Sequence, residues 1–318
     1  MLFNIILFSL FPLVMGASSR NVFISVFSWI VVLFLISLRG EYGSDTWSYY
    51  VQVKDFSYTN LSAYSLLQPL WLIFQSLLNI IGAGSSLLMF NFAVGVVFVL
   101  LFWCVVRSKP LNTAILAFLP ILIVDLAMNT HRAGIALLFL VLLRNSYFTS
   151  IAPLIHVSTA PITMYQYFKS RSGQSLLLLV PIVLVVFYFG QEFLALAAPI
   201  IQHVELYSNY GFGSEYRGLT DVAIIFLLAN SALYSGKVKF KVIIMSLCLC
   251  YVMFHLASIN YGFLRFTKLV MYYYVLTNTT YDSTKISRLG FRASLTIFYI
   301  FSAIVFNRII MGFGIYGV

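Results

Sequence analysis

Apolar runs of about 15–20 residues recur along the whole chain, and a run of that length is what a helix needs to cross the hydrocarbon of a bilayer. Of the 318 residues, 61% are hydrophobic and only 9% are charged. That leaves too little polar surface to wrap such runs in a water-soluble shell. The chain therefore reads as an all-α polytopic membrane protein, with residues 1–318 forming a single integral membrane domain. Hydropathy places about ten spans, at roughly 2–16, 22–38, 86–106, 111–127, 131–143, 174–190, 220–235, 241–259, 262–277 and 293–312. Met1–Met15 has no basic n-region and leads through Gly16-Ala17-Ser18 into the next run, so a retained first helix is expected rather than a signal peptide. Residues 61–82 are weaker and amphipathic, with Gln68, Gln75 and Asn79 interleaved. That pattern suits a helix in the interface or against the bundle.

Charge orders these spans. If 146–168 is a hairpin that dips in and returns, then Arg20, Arg107, Lys109, Arg144, Lys169, Arg171, Lys237, Lys239, Lys241, Lys285, Arg288 and Arg292 share one side. The positive-inside rule makes that side cytoplasmic, and both termini fall outside. Pro153 and Pro161 flank His156, as expected of two short broken helices with His156 near the turn. Non-helical backbone at membrane depth is tolerated where it is buried in protein or lines a cavity. The outward segments are then 39–85, containing the amphipathic helix, and 191–219. Cys104, Cys248 and Cys250 fall inside apolar runs and suggest neither a disulfide framework nor a metal site. The net charge of +10 fits basic loops and anionic lipid partners, and does not point to nucleic acid.

The stretch Arg39-Gly40-Glu41-Tyr42-Gly43-Ser44-Asp45-Thr46-Trp47-Ser48-Tyr49-Tyr50 concentrates charge and aromatics where a span ends. Ionisable groups at such a place are costly and mark function by default. Arg39 ends the second span, Arg132 begins the fifth and Arg265 begins the ninth, all against the positive-inside trend. Each offers a planar fork of donors suited to phosphate oxygens, so the three together suit a diphosphate. The plainer alternative is that each snorkels to lipid headgroups. Asp45 reads as a surface acid or helix N-cap, or as a group that orients Arg39 or a sugar hydroxyl. His156 reads as a satisfied buried histidine, or as a donor or proton acceptor at the hairpin turn. Asp125 is placed to pair with Arg132 or another basic residue of the outer set. Glu205, Tyr210 and Arg217, in the 191–219 segment, suit sugar rings, with an aromatic interfacial belt as the alternative. No metal motif, phosphate-binding glycine loop, nucleophile elbow or Asp-x-Asp pair occurs, so no cofactor or metal is expected.

Arg39-x-x-x-Gly43-Ser44-Asp45-x-x-x-Tyr49 resembles the Arg…Gly-Thr-Asp…Tyr signature of EpsG-like proteins, Wzy-type polymerases of O-antigen, capsule and exopolysaccharide. Three further elements follow in order: Gln68-Pro69, Asn129-Thr130-His131-Arg132-Ala133-Gly134-Ile135-Ala136, and Leu154-Ile155-His156-Val157-Ser158-Thr159-Ala160. They resemble the family's Glu-Pro, Arg-Gln…Ala and Phe-His-x-Ser-Ala elements. Arg265, after Asn260-Tyr261-Gly262, resembles a late arginine. Gln68 and Ala133 depart from the pattern, and neither is assigned a catalytic role. The resemblance implies a metal-independent glycosyltransferase of the bacterial inner membrane with its site facing outward, in an architecture compatible with the GT-C type. A glycan on undecaprenyl diphosphate would be transferred to a second lipid-linked repeat unit, beside a flippase and a chain-length regulator. Arg39, Arg132 and Arg265 would hold the diphosphate, with His156, Asp45 and Arg132 as the catalytic set. Tyr49, Tyr50, Glu205, Tyr210 and Arg217 would shape the sugar pocket. An O-antigen ligase or other lipid-phosphate-dependent glycosyltransferase is the nearest alternative. A transporter of lipid-linked sugars is a more distant one, because the ionisable residues gather toward one face rather than at the midplane.

Overall fold

The computed structural model describes residues 21–40, 45–57, 68–107, 122–144, 147–170, 222, 225–226, 240–259 and 262–277. Among the described residues all regular structure is helical. In chain order the helices are α1 Val22–Ser37, α2 Thr46–Lys54, α3 Pro69–Ile80, α4 Leu87–Arg107, a π-helical turn Ile123–Asn129, α5 His131–Leu142, α6 Ile151–Ile155, α7 Ala160–Ser170, α8 Phe240–Ile259 and α9 Gly262–Thr277. Within α4, Leu87–Val105 is long and apolar enough to cross a membrane. Val22–Ser37, His131–Leu142 and Ile244–Met253 are shorter apolar helices. The expected spans at 22–38, 86–106, 131–143, 241–259 and 262–277 coincide with α1, α4, α5, α8 and α9. The expected spans at 2–16, 174–190 and 293–312 lie outside the described residues, as do most of 111–127 and most of 220–235.

Helix α1 is apolar on its outside and partly polar on its inside. Phe23, Phe27, Ile30, Phe34 and Leu38 are exposed, Phe23 by 86%, while Ser25, Ser28 and Ser37 are buried with Trp29, Val32 and Ile36. The exposed residues recur at helical spacing. Such a face is stable against hydrocarbon, not against water. The inward serines are compatible with an apolar setting because two of them bond back to the preceding turn, Ser28 to Ile24 O at 2.8 Å and Ser37 to Leu33 O at 2.7 Å. Helix α4 lies against α1 at Gly95. A Cβ there would come within 3.0 Å of Leu33 Cδ1 and 3.1 Å of Ile36 Cγ2. Small residues at a crossing let two backbones approach and gain dispersion contact where lipid offers no hydrophobic drive.

Two apolar clusters fill the interior. One joins Trp29, Val32 and Ile36 of α1 to Phe98 and Phe102 of α4, Leu137 and Leu140 of α5, and Tyr272 and Leu276 of α9. The other joins Tyr49, Tyr50 and Val53 of α2 to Trp71 and Leu78 of α3, Phe90 and Val94 of α4, and Ile135 of α5. Helix α3 starts one residue after Gln68 because Pro69, with its fixed φ and missing N–H, is suited to a first helical position. Its amphipathic face turns inward to α2: Gln75 donates to Gln52 Oε1 at 2.8 Å, and Asn79 donates to Val53 O at 2.7 Å. The polar residues that weakened its hydropathy are therefore the ones that hold it to the bundle. At the other end of α5, Arg144 donates to Thr277 O at 2.8 Å, satisfying a carbonyl that the end of α9 leaves unpaired.

Between α6 and α7 the helix breaks at His156, which is extended (φ −150°, ψ 114°) and is followed by a 3₁₀ turn at Val157–Thr159. The expected interruption thus falls at His156, between two short helices.

Candidate functional site

The site begins with a widened helical turn. At the end of Ile123–Asn129 the Thr130 N–H reaches Asp125 O at 2.9 Å, five residues back instead of four, and Thr130 Oγ1 donates to the same carbonyl at 2.8 Å. A π-turn of this kind is a common device at functional sites. The chain then turns at Thr130 (φ −122°, ψ 50°) into α5, so the last carbonyls of the turn must find partners elsewhere. Arg39 Nη1 donates to Ala127 O, and Thr46 Oγ1 donates to Met128 O at 3.0 Å. Both partners flank the polar stretch that follows α1. Gly134 lies directly over this turn: a Cβ there would stand 2.3 Å from Leu126 O.

Arg39 is only 5% exposed. Its Nε donates to Asn91 Oδ1 at 3.0 Å, and the Asn91 amide donates to Gly40 O at 2.8 Å. Gly40 has φ +64°, a conformation glycine adopts without penalty. Burial lowers the Arg39 pKa to about 9 by desolvation, which leaves the guanidinium charged at neutral pH. Its Nη2 is buried without a hydrogen-bond partner.

Beside it, α2, α3 and α4 form an aromatic nest around His131 of α5. The His131 ring is 4.6 Å from Tyr49, 5.6 Å from Phe90 and 6.1 Å from Trp71, measured between centroids. Arg132, the next residue of α5, lays its guanidinium over Tyr49 at 4.9 Å and over Trp71 at 5.7 Å. Stacking of this kind orients the guanidinium plane and leaves its edge for hydrogen bonding. Arg132 Nε is buried and unpartnered. Arg39 bonds Asn91, the neighbour of Phe90 in the nest, so both cations belong to the same region of the bundle. Donors that are buried, charged and unspent are costly to keep, and an anion with several oxygens would satisfy them.

A model of the EpsG family matches residues 22–316. The chain belongs to the EpsG family. Membership places it among membrane proteins of polysaccharide biosynthesis. No significant match is found among curated proteins or among solved structures.

In this EpsG-family chain the third arginine joins the same region through an acid. Arg265 Nη1 of α9 lies 3.8 Å from Asp45 Oδ2, both partly exposed. Asp45 stands at the N-cap position of α2, but its carboxylate makes no cap bond and faces Arg265 instead. Asp125, on the π-turn, pairs with Lys268 rather than Arg132. Lys268 Nζ is 2.8 Å from Asp125 Oδ2, and Tyr272 donates to the same oxygen at 2.8 Å. Arg265, Lys268 and Tyr272 follow at i, i+3 and i+7, so one face of α9 carries all three. His156 is held by its neighbour: Nδ1 accepts from the Ser158 N–H at 3.2 Å and lies 2.9 Å from Ser158 Oγ. With Nδ1 accepting, the proton of the neutral ring belongs on Nε2.

Tyr50 packs between Phe90 at 6.0 Å and Trp47 at 5.5 Å and is buried in the second cluster. Tyr49 lies at the nest itself. Glu205, Tyr210 and Arg217 lie outside the described residues. Among the described residues no group of three His, Cys, Asp or Glu is placed to hold a metal. Sequence reasoning gave no role to His131, Trp71 or Asn91 and set Gln68 aside. An apolar-helix reading hides such residues, since a buried His or Gln has the same local pattern whether or not it finds a partner.

Proposed function

We propose that this EpsG-family protein is an oligosaccharide repeat-unit polymerase of the Wzy type, a glycosyltransferase working at the outer face of the bacterial inner membrane. The observation that carries this reading is that Arg39 and Arg132, in the same region of the bundle, each keep a buried, unspent guanidinium nitrogen. That arrangement suits the diphosphate of an undecaprenyl-diphosphate-linked glycan. A hydroxyl of a second lipid-linked repeat unit attacks the anomeric carbon. The new C–O bond forms as the bond to the diphosphate oxygen breaks, and the hydroxyl proton passes to water or to the released diphosphate. Negative charge grows on the departing diphosphate, and preorganised guanidiniums in a water-poor site lower that barrier. Diphosphate is a good leaving group, so the reaction requires no general acid.

Arg39 and Arg132 take the diphosphate, and Arg265, braced by Asp45, completes its charge balance. His156, at the break between α6 and α7, meets the acceptor hydroxyl, and Asp45 is the second group for that role. Tyr49 orients Arg132, Tyr50 backs the nest, and Glu205, Tyr210 and Arg217 extend the pocket from the 191–219 segment. About ten spans with both termini outside, a re-entrant hairpin at 146–168, and a neighbouring flippase and chain-length regulator belong to the same reading.

The test is direct. Purified protein in detergent is mixed with undecaprenyl-diphosphate-linked repeat units of its own host, with EDTA present, and the glycans are sized on a gel. A ladder of lengths supports a metal-independent polymerase. Transfer of a single glycan to a lipid A core acceptor without a ladder would favour a ligase. Binding without any transfer would favour a transporter.

A further inference from the structure

We propose that Gln68, Trp71 and His131 form an inner subsite that holds the sugar ring directly attached to the diphosphate, resting on the polymerase reading above. The argument starts from two completely buried polar side chains, Gln68 and His131, both at 0% exposure. Gln68 has neither its amide nitrogen nor its carbonyl oxygen bonded, and His131 has neither ring nitrogen bonded. The indole N–H of Trp71 is likewise buried and unpartnered. Native proteins seldom leave so many buried polar atoms unmet in one place, and each costs free energy unless something binds there.

Placement brings the three together. Gln68 stands at the N-cap position of α3, where its backbone carbonyl accepts from the Trp71 N–H at 3.0 Å while its side chain makes no cap bond. That bond ties Gln68 to the first turn of α3, which carries Trp71, and the Trp71 ring lies 6.1 Å from that of His131. Arg132 adjoins both through Trp71 and through the chain. Unlike the completely buried Gln68 and His131 and the nearly buried Arg39, Arg132 is partly exposed, so the constellation reaches the surface at Arg132.

The kind of atom decides the ligand. Gln68 brings two N–H donors and one acceptor oxygen, a neutral imidazole brings one donor and one acceptor, and Trp71 brings one donor. A phosphate oxygen accepts but has no hydrogen to give at neutral pH, so it leaves the Gln68 oxygen and one His131 nitrogen unmet. Sugar hydroxyls both donate and accept. Donor-only guanidinium edges beside a mixed donor-and-acceptor group match a glycosyl diphosphate, with charge at Arg39 and Arg132 and hydroxyls at Gln68 and His131. Aromatic rings beside the neutral end also suit the apolar face of a sugar.

The experiment compares two ligands that differ only by the glycan. Radiolabelled undecaprenyl-diphosphate-linked repeat unit and undecaprenyl diphosphate without sugar are bound to the full chain in lipid nanodiscs. The variants are Gln68→Met, close in shape but without the amide, and His131→Leu. His131→Asn, which keeps one donor group and one acceptor, serves as the conservative rescue. Gln68→Met and His131→Leu should each weaken the sugar-bearing ligand about tenfold, the value of one or two buried hydrogen bonds, and change the bare diphosphate less than about twofold. His131→Asn should recover most of the loss. Equal losses on both ligands, or none on either, would overturn the subsite and leave the polymerase reading standing. If the wild-type protein holds neither ligand, the polymerase reading itself falls, and the subsite with it. Should one variant fail to fold, the other carries the same comparison.

Discussion

Arg39 gives its Nε–H to Asn91 Oδ1 at 3.0 Å, joining the end of α1 to α4 across 52 residues. Asn91 then gives its own amide hydrogen to Gly40 O at 2.8 Å, so one side chain fixes both the arginine and the turn that follows it. Replacing Asn91 by Leu leaves the buried Arg39 Nε and the Gly40 carbonyl without these partners. We expect a loss of about 1–3 kcal/mol of stability from an unmet buried charged donor and a marked loss of polymerisation. Thermal unfolding in detergent, run beside the ladder assay, checks both. An unchanged melting temperature would mean that Arg39 is held by Ala127 O alone.

Arg132 is the residue whose removal should separate chemistry from folding. Its stacking on Tyr49 contributes only about 0.5–2 kcal/mol, so Arg132→Ala should still give a monodisperse protein. Activity should fall by about 100-fold or more, as when a preorganised donor to a leaving oxyanion is lost. Arg132→Lys should restore little, because a lysine is a point charge without the planar fork that stacks and bonds at once. Initial rates of glycan extension measure this, and normal rates in Arg132→Ala would end the diphosphate assignment.

Asp125 and Lys268 form a buried ion pair at 2.8 Å with nearly inaccessible side chains. Removing one member strands the other charge, at a cost of about 3–5 kcal/mol. Asp125→Leu and Lys268→Met should therefore each reduce folded yield sharply, while the double variant should recover part of it. A double-mutant cycle on unfolding midpoints reads the coupling. Additive losses would show that the pair does not act as a unit.

Two glycines should respond differently to the same substitution. At Gly134 an added methyl meets the Leu126 backbone oxygen at 2.3 Å, and neither backbone can yield without disturbing the π-turn. Gly134→Ala should abolish folded protein or disable the site. At Gly95 the nearest atoms are side-chain methyls at 3.0 and 3.1 Å, which can rotate aside. Gly95→Ala should cost no more than about 1–3 kcal/mol, the usual range for overpacking. Size-exclusion profiles and melting points of the two variants make the comparison.

Ser158 acts on His156 as a positioning residue, holding Nδ1 from both its backbone N–H and its hydroxyl. Ser158→Ala should keep the backbone bond and lower the extension rate several-fold, less than His156→Ala does. A rate equal to wild type in both variants would remove His156 from the mechanism.

Much of this protein was legible in the chain because the signal is local. A run such as Leu87–Val105 must be helical wherever it lies in a bilayer, since its backbone can bond only to itself. Pro69 marked the start of α3, and Pro153 and Pro161 bracketed the break at His156. Arg39, Arg132 and Arg265 stood out because each occurs where the charge pattern of the spans predicts none.

What the sequence could not decide was who meets whom. Asp125 had several basic residues to choose from, and packing of α9 against α5 gave it Lys268 together with Tyr272, 147 residues away. Arg39 looked like an outer-surface cation, yet it is buried and bonds a carbonyl 88 residues on. That carbonyl is free because a helix widened by one residue in its last turn. Gln68 and His131 looked like ordinary members of apolar helices, and only the assembled bundle leaves their polar atoms buried and unpaired. Hydropathy and charge order are set residue by residue along the chain and fix the helices. A hydrogen-bond partner depends on distances of a few ångströms between segments far apart in sequence, and those exist only once the helices have packed.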